Sequence, residues 1–137
     1  MSQVHTVAAD KVNEVWDEVR PLLNVAFLSH DDVDYGIEYL KVELVNGSQH
    51  LFLVVEDKKI IGAYTVELID YDNHRVALTT CIGGKEVFNK KTVQQCEDWA
   101  RSQGATRIRA YAKDAQARLF KLKMGLEPVM HVLEKRL

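Results

Sequence analysis

The residues best suited to chemistry lie in one stretch, where Gly83 and Gly84 are followed by Lys85 and then by Lys90 and Lys91. An apolar run precedes the glycines and an amphipathic segment follows them, which predicts a strand, a turn and a helix. A glycine turn that leads into a helix N-terminus presents unpaired backbone amides and can bind an anion. A plain strand-to-helix turn with a solvated basic end explains the same residues, so both interpretations stay open.

Composition predicts one globular domain. The chain has 137 residues, of which 47% are hydrophobic and 28% are charged, with a net charge of -2. This length suffices for a single core, and the charge balance does not indicate nucleic-acid binding. No apolar run approaches the roughly 20 residues of a membrane span, and no leader pattern is present. We therefore expect a cytoplasmic protein that binds neither nucleic acid nor membrane.

The cysteines and histidines do not form a metal-binding pattern. Cys81 and Cys96 fall in a predicted strand and a predicted helix, without the spacing of a zinc site. We expect both to be buried free thiols. The histidines show no pairing at metal-ligand spacing, so we expect no metal.

The first part of the chain predicts a strand and two helices. The strand runs from Gln3 to Val7, and Asp10 is a candidate N-cap for a helix that Pro21 breaks or kinks. A second helix begins near the acidic pair Asp31-Asp32 and ends at Asn46-Gly47. Apolar residues at helical spacing support both helices: Val12, Val15, Trp16, Val19 and Leu23 in the first, and Val33, Ile37, Leu40 and Leu44 in the second.

The remainder predicts five strands and two helices. Three strands joined by short turns make an antiparallel meander; they span Leu51 to Val55, Ile60 to Ile69 and Arg75 to Ile82. A helix that stops at Gly104 follows. The last elements are a strand from Thr106 to Ala112, a helix capped by Asp114 and stopped by Gly125, and a strand from Val129 to Lys135. A strand, helix and strand beside a meander imply a parallel pair in a mixed sheet.

This order, β-α-α-β-β-β-α-β-α-β, resembles the fold of the GCN5-related N-acetyltransferase (GNAT) superfamily. Three stretches are similar to family segments: 53–64 to its second and third strands, 97–108 to its third helix and fifth strand, and 117–126 to its fourth helix. The resemblance implies an α+β fold with a mostly antiparallel central sheet, a splayed parallel pair and about four flanking helices. The chain is also similar to short GNAT-like proteins of tailed phages.

The resemblance implies acetyl-CoA as co-substrate and no metal. It assigns the pantetheine arm to the backbone of Thr80, Cys81 and Ile82, and the pyrophosphate to the turn with Gly83, Gly84, Lys85, Asn89 and Lys90. Asp114 falls where the family commonly has an asparagine that contacts the cofactor, although an N-cap role is sufficient to explain it.

The chain departs from the family pattern at two places. Val87 and Asn89 stand where the phosphate loop has small residues, so the loop is remodelled or lost. Phe120 and Lys121 stand at the usual tyrosine acid. Tyr111 is a candidate replacement that would protonate the leaving thiolate, and packing in a strand is its alternative role.

Glu67 is the candidate base, because direct transfer to an amine requires a group that removes the amine's proton. An exposed strand face explains this carboxylate equally well. The expected function is direct transfer of an acetyl group to a small-molecule or protein amine. The alternative is a degenerate GNAT-fold binding module, a virion component or a host-interaction protein. The acceptor would contact the first two helices, where Phe27, His30 and Tyr35 are suggestive, and an exposed final strand would allow a homodimer.

Overall fold

The computed structural model describes residues 2–28 and 34–137. In chain order its elements are β1 (Gln3–Val7), α1 (Val12–Leu28), α2 (Ile37–Val45), β2 (His50–Glu56), β3 (Lys59–Asp70), β4 (Arg75–Gly84), α3 (Lys90–Ser102), β5 (Arg107–Ala110) and α4 (Asp114–Met124). None of these helices is both long enough and apolar enough to cross a membrane.

One sheet organises the molecule. Its strand order is β1-β2-β3-β4-β5, with antiparallel pairing from β1 to β4 and parallel pairing between β4 and β5. The predicted meander and the predicted parallel pair are both confirmed. The chain therefore has the expected α+β architecture, a mostly antiparallel sheet with flanking helices.

The two faces of the sheet bury different cores. Because side chains alternate along β3, Ala63 points toward α1 and α2 and packs in one core with Trp16, Leu23 and Leu40. The next residue, Tyr64, points to the opposite face and packs with Phe52 and with Cys96 of α3. The α1–α2 face and the α3–α4 face are named by these helices below.

The first helix is longer and less interrupted than expected. It runs from Val12 through Pro21 to Leu28, so of the break or kink predicted at Pro21, the break is wrong. The buried residues Val19 and Leu23 flank the proline, and their packing offsets the backbone hydrogen bond that proline removes. Asp10 is not an N-cap, because it lies inside a 3₁₀ turn at Ala9–Lys11 that leads directly into α1.

The second helix is described from Ile37, with Gly36 at its N-cap and Asn46 at its C-cap. The predicted start at Asp31-Asp32 lies outside the described residues, as does His30. The predicted stop is confirmed, since Gly47 follows the C-cap with a φ of 84°. Glycine adopts this left-handed conformation without steric cost.

The C-terminal segment differs from the prediction. Residues 125–137 form no strand, so the predicted strand from Val129 to Lys135 is wrong. Apolar alternation specifies a strand only where a neighbouring edge pairs with it. The available edge is β5, which spans only Arg107–Ala110 and is shorter than the predicted Thr106 to Ala112. The apolar side chains of this segment are therefore exposed, among them Val129, Val132 and Leu133.

Candidate functional site

The two parallel strands separate at the centre of the candidate site. Their pairing ends at Thr79 and Ala110, whereas β4 continues to Gly84. Among the described residues, no strand therefore pairs with the β4 backbone beyond Thr79 on that side. Because the Lys85 N–H donates to the Ile61 carbonyl of β3 at 2.8 Å, strand alternation points the N–H and C=O of Ile82 into the gap. An extended ligand arm can hydrogen-bond to this free backbone edge.

A β-bulge in β4 lies at the start of the gap. Thr65 of β3 pairs with Cys81 and Val66 pairs with Thr79, so that Thr80 has no direct partner across the ladder. Such bulges bend a strand and redirect its side chains. The sequence pattern of β4 does not show where this extra residue falls.

The glycine turn is explained first by packing. A side chain at Gly83 would collide with the carbonyl oxygen of Leu22 in α1, and one at Gly84 would lie 2.5 Å from the carbonyl oxygen of Ile61. Gly84 also has a φ of 89°. Both glycines are thus required by close backbone approach. They do not by themselves indicate a phosphate site.

Asn89 begins α3 and caps it. Its Oδ1 accepts a hydrogen bond from the Thr92 N–H at 2.7 Å, and its Nδ2 donates to Glu86 Oε2 at 2.7 Å. Lys90 and Lys91 are exposed in the first turn, where the backbone N–H groups have no intrahelical acceptor. The carboxylate of Glu86 stands in the same turn as these lysines. The turn therefore combines anion-binding groups with one opposing charge.

A cleft opens beside this helix N-terminus, between α3 and α4. Its volume is about 480 Å³, and it is lined by Phe88, Asn89, Lys90, Val93, Gln94, Glu97, Leu122 and Lys123. The rings of Phe88 and Phe120 lie 5.7 Å apart between their centres and join the turn to α4. Phe120 is thus a packing residue, and Lys121 pairs with Glu127 at 3.4 Å.

Both cysteines are buried free thiols, as expected. Burial raises the pKa of Cys81 to about 12, and its thiol donates to the Leu23 carbonyl oxygen at 3.4 Å. Burial also raises the pKa of Cys96, which lies beside Tyr64 on the opposite face. A raised pKa disfavours the thiolate, the nucleophilic form, in both cysteines.

Glu67 lies on the α1–α2 face and is half-buried. Burial raises the pKa of its carboxyl, and the negative charge of Glu43 in α2 raises it further. A raised pKa brings a carboxylate closer to the range of an effective general base.

A polar cluster next to Glu67 was only partly visible in the sequence. The Thr80 hydroxyl donates to Gln49 Oε1 at 2.6 Å and lies 2.6 Å from the hydroxyl of Thr65. Tyr35 completes the cluster: burial raises the pKa of its hydroxyl, against the lowering effect of hydrogen bonds with Gln49 and Thr80. Gln49 is almost fully buried, and its position just before an apolar strand was the only signal in the sequence.

Tyr111 and Asp114 follow the end of β5 in the chain. Tyr111 lies beyond the end of β5 and is 73% exposed, so it is not a packed strand residue. Asp114 is the first residue of α4, and the N-cap position belongs to Lys113. The Lys113 N–H donates to Gln116 Oε1 at 3.1 Å. The predicted N-cap role of Asp114 is therefore wrong. No hydrogen bond joins Tyr111 to Glu67.

The described residues hold no group of three metal-ligating side chains. The gap and the glycine turn lie on the segment that leads into the N-terminus of α3, and the cleft opens beside that N-terminus. An unpaired strand edge followed by a helix N-terminus suits an extended anionic ligand rather than a compact ion.

No sequence family matches the chain, and no curated protein matches it by sequence. The structure is nevertheless similar to solved acetyltransferases. An aminoglycoside acetyltransferase from an uncultured soil metagenomic sample, in complex with trehalose, has a TM-score of 0.70 at 15% identity, covering 98% of this chain and 96% of that one. An aminoglycoside N-acetyltransferase in complex with CoA has a TM-score of 0.69 at 16% identity, covering 99% and 94%.

A predicted acetyltransferase from Clostridium acetobutylicum with acetyl-CoA has a TM-score of 0.63 at 14% identity, covering 99% of this chain and 96% of that one. At these identities the likeness concerns the fold, and it extends over nearly the whole of each chain. The chain has the fold of the GNAT acetyltransferases.

Proposed function

We propose that this protein is an acetyl-CoA-dependent N-acyltransferase that transfers an acetyl group directly to an amine. The observation that carries the proposal is the gap between β4 and β5, with its free β4 backbone leading to the N-terminus of α3. Solved proteins of the same fold contain CoA or acetyl-CoA. The reducing cytoplasm, where buried thiols stay free, is the compartment we propose for it.

The cofactor site is proposed from the residues around the gap. The backbone of Thr80, Cys81 and Ile82 would pair with the pantetheine arm. The turn from Gly83 to Lys91 would hold the pyrophosphate through helix N–H groups and lysine side chains. Asn89 serves there chiefly as the cap that fixes the helix end, and Asp114 would contact the cofactor from the start of α4.

The chemistry requires positioning and two proton transfers. The amine nitrogen forms a bond to the thioester carbonyl carbon, and the carbon–sulfur bond breaks. Glu67 takes the proton that the amine loses, because its raised pKa suits a base. Tyr111 is proposed to give a proton to the leaving thiolate, and its exposure at the gap leaves it free to contact the ligand. Holding the two reactants in place supplies most of the rate.

The acceptor is proposed to be a small-molecule amine that enters from the α1–α2 face. Structures of the same fold were solved in complex with trehalose and with sisomicin. In this chain the half-buried Glu67 and Tyr35 and the hydroxyl of Thr80 line the corresponding face. A protein amine is a less suitable acceptor for such a partly enclosed group of side chains.

A second candidate is a GNAT-fold module that binds without catalysis, such as a virion or host-interaction protein. Two observations favour it. Packing alone explains Gly83 and Gly84, and the Glu86 carboxylate opposes an anion in the turn. The exposed apolar C-terminal segment, including Val132 and Leu133, would then contact a partner or a second copy.

Calorimetric titration with acetyl-CoA tests the proposal. We expect micromolar binding to the wild-type protein and at least about tenfold weaker binding to the Lys85→Ala/Lys90→Ala variant, because two phosphate contacts are lost. The matched control is Lys58→Ala/Lys59→Ala in the turn between β2 and β3, which should bind like wild type. Absence of binding at millimolar acetyl-CoA would reject the enzyme and favour the second candidate.

A further inference from the structure

The α1–α2 face carries a row of three residues across the sheet. Glu67 of β3 pairs with Leu78 of β4, and Leu78 pairs with Arg109 of β5. Paired residues on neighbouring strands point to the same face, so the carboxylate and the guanidinium stand on one surface with an apolar residue between them. Two strand spacings separate Glu67 from Arg109 by about 10 Å.

The charges at the two ends of the row are not neutralised by each other. The charged neighbour that acts on Glu67 is Glu43, which gives this end a second carboxylate. At the other end, Arg107 lies two residues before Arg109 on the same face. Within the described ranges 2–28 and 34–137, neither arginine forms an ion pair with a carboxylate.

Arg109 differs from the nearby Arg75 in whether its guanidinium is already paired. Nearby Arg75 is fully engaged, since it pairs with Asp70 at 2.6 Å and donates to the Gln103 carbonyl oxygen at 2.7 Å. The guanidinium of Arg109 instead lies over the ring of Tyr71, 5.8 Å from its centre. Its planar donors therefore remain available for an anion.

Arg107 extends the same basic end. Its Nη1 lies 3.4 Å from the Nε2 of His74, and the ring of His74 stacks on Tyr71 at 5.3 Å. Burial lowers the pKa of His74, and the charges of Arg107 and Arg109 lower it further. A neutral imidazole adds no repulsion between the side chains, and the arginines hold the positive charge at this end.

From this juxtaposition we propose that the acceptor is an amine that also carries an acidic group, a carboxylate or a phosphate, several atoms away. The amine end lies at Glu67 beside Thr80 and the gap, and the acidic end lies at Arg109. The apolar spacer bridges the two strand spacings between these ends, above the buried Leu78. The inference rests on the proposed acetyl transfer, since it names the substrate class of that same site.

A matched pair of amines tests the proposal. ε-Aminocaproate and hexylamine have the same amine and spacer, and only the first has a carboxylate. With acetyl-CoA as donor and released thiol as readout, we expect kcat/KM for ε-aminocaproate to exceed that for hexylamine by about tenfold. In Arg109→Gln this ratio should fall toward one, mainly through a higher KM for ε-aminocaproate. Arg101→Gln, at an exposed position of α3, should keep the wild-type ratio.

Binding is measured separately so that the two proposals can fail independently. Calorimetric titration with ε-aminocaproate should show at least about tenfold weaker binding to Arg109→Gln than to wild type, whether or not transfer occurs. Equal kcat/KM for the two amines, or equal binding by Arg109→Gln and Arg101→Gln, would overturn the acidic-amine proposal. No turnover of either amine, together with Arg109-dependent binding, would instead reject acetyl transfer and leave the binding site supported.

Discussion

The Thr80 hydroxyl donates a 2.6 Å hydrogen bond to Gln49 Oε1 at the point where β4 contains one residue more than β3 opposite it. This bond fixes the bulge from the α1–α2 face, because Gln49 is almost fully buried and precedes β2. The bulge in turn directs β4 away from β5. The polar cluster on the α1–α2 face is therefore part of what holds the gap between β4 and β5 open.

Thr80→Val removes this hydroxyl and preserves the shape of the side chain. We expect it to lower the free energy of unfolding by about 1–3 kcal/mol, because Gln49 Oε1 loses a buried donor. Urea unfolding measures the change. Thr6→Val, at an exposed position of β1, is the matched control and should stay within about 0.5 kcal/mol of wild type. If Thr80→Val lowered the free energy of unfolding no more than Thr6→Val does, the hydrogen bond would not stabilise the bulge.

Gly83→Ala places a methyl group against the Leu22 carbonyl of α1. We expect the free energy of unfolding to fall by about 1–3 kcal/mol, because either α1 or the end of β4 must move to relieve the overlap. Thermal unfolding should show a lower Tm than for Gly36→Ala, where nothing lies within 4 Å of the added carbon. Similar Tm values for the two variants would contradict the close approach of α1 to β4.

Glu67 should make stability depend on pH. Burial and Glu43 raise the pKa of this carboxyl in the folded protein. The folded state therefore binds the proton more strongly than the unfolded state, so the stability that Glu67 contributes is lost as the pH rises through its raised pKa. Because Glu67→Gln cannot ionise, its Tm relative to wild type should be higher at neutral pH than in acid.

The control for this prediction is Glu18→Gln, at an exposed position of α1. Its Tm relative to wild type should change less between acid and neutral pH. In activity assays of the wild-type protein, kcat/KM should rise with pH as Glu67 ionises, and Glu67→Gln should lose most of this activity. A pH-independent Tm difference between Glu67→Gln and wild type would contradict the raised pKa.

Most of the fold could be predicted from local patterns. Apolar periodicity identified β2 to β4, α1 and α3, and glycines marked the helix ends that Gly47, Gly104 and Gly125 occupy with positive φ. Short turns required antiparallel pairing, and a helix between two strands required a parallel pair. These features depend on residues close together in the sequence.

The site could be predicted only in part for the same reason. The turn from Gly83 to Lys90 and the carboxylate of Glu67 were predicted from residue type and position, and Thr80 to Ile82 were predicted from the family resemblance; the roles of all of them stay predictions. Gln49 and Arg109 were not predicted. The role proposed for each depends on residues that are distant in the sequence and that only the folded sheet brings near: Thr80 for Gln49, and Glu67 for Arg109. The roles proposed for Tyr111 and Asp114 remain predictions, although the N-cap position of Asp114 was wrong.

The sequence by itself determined the order of helices and strands from β1 to α4, the glycines that follow three of the helices, and which of these strands pair. The tertiary structure decided that α1 continues through Pro21, that residues 129–135 do not pair as a strand, and that Glu67 and Arg109 share one face. The physical reason is the sequence separation over which each effect acts, because periodicity and turn geometry depend on residues only a few positions apart. Burial, bulges and charge separation depend on contacts between residues far apart in the chain.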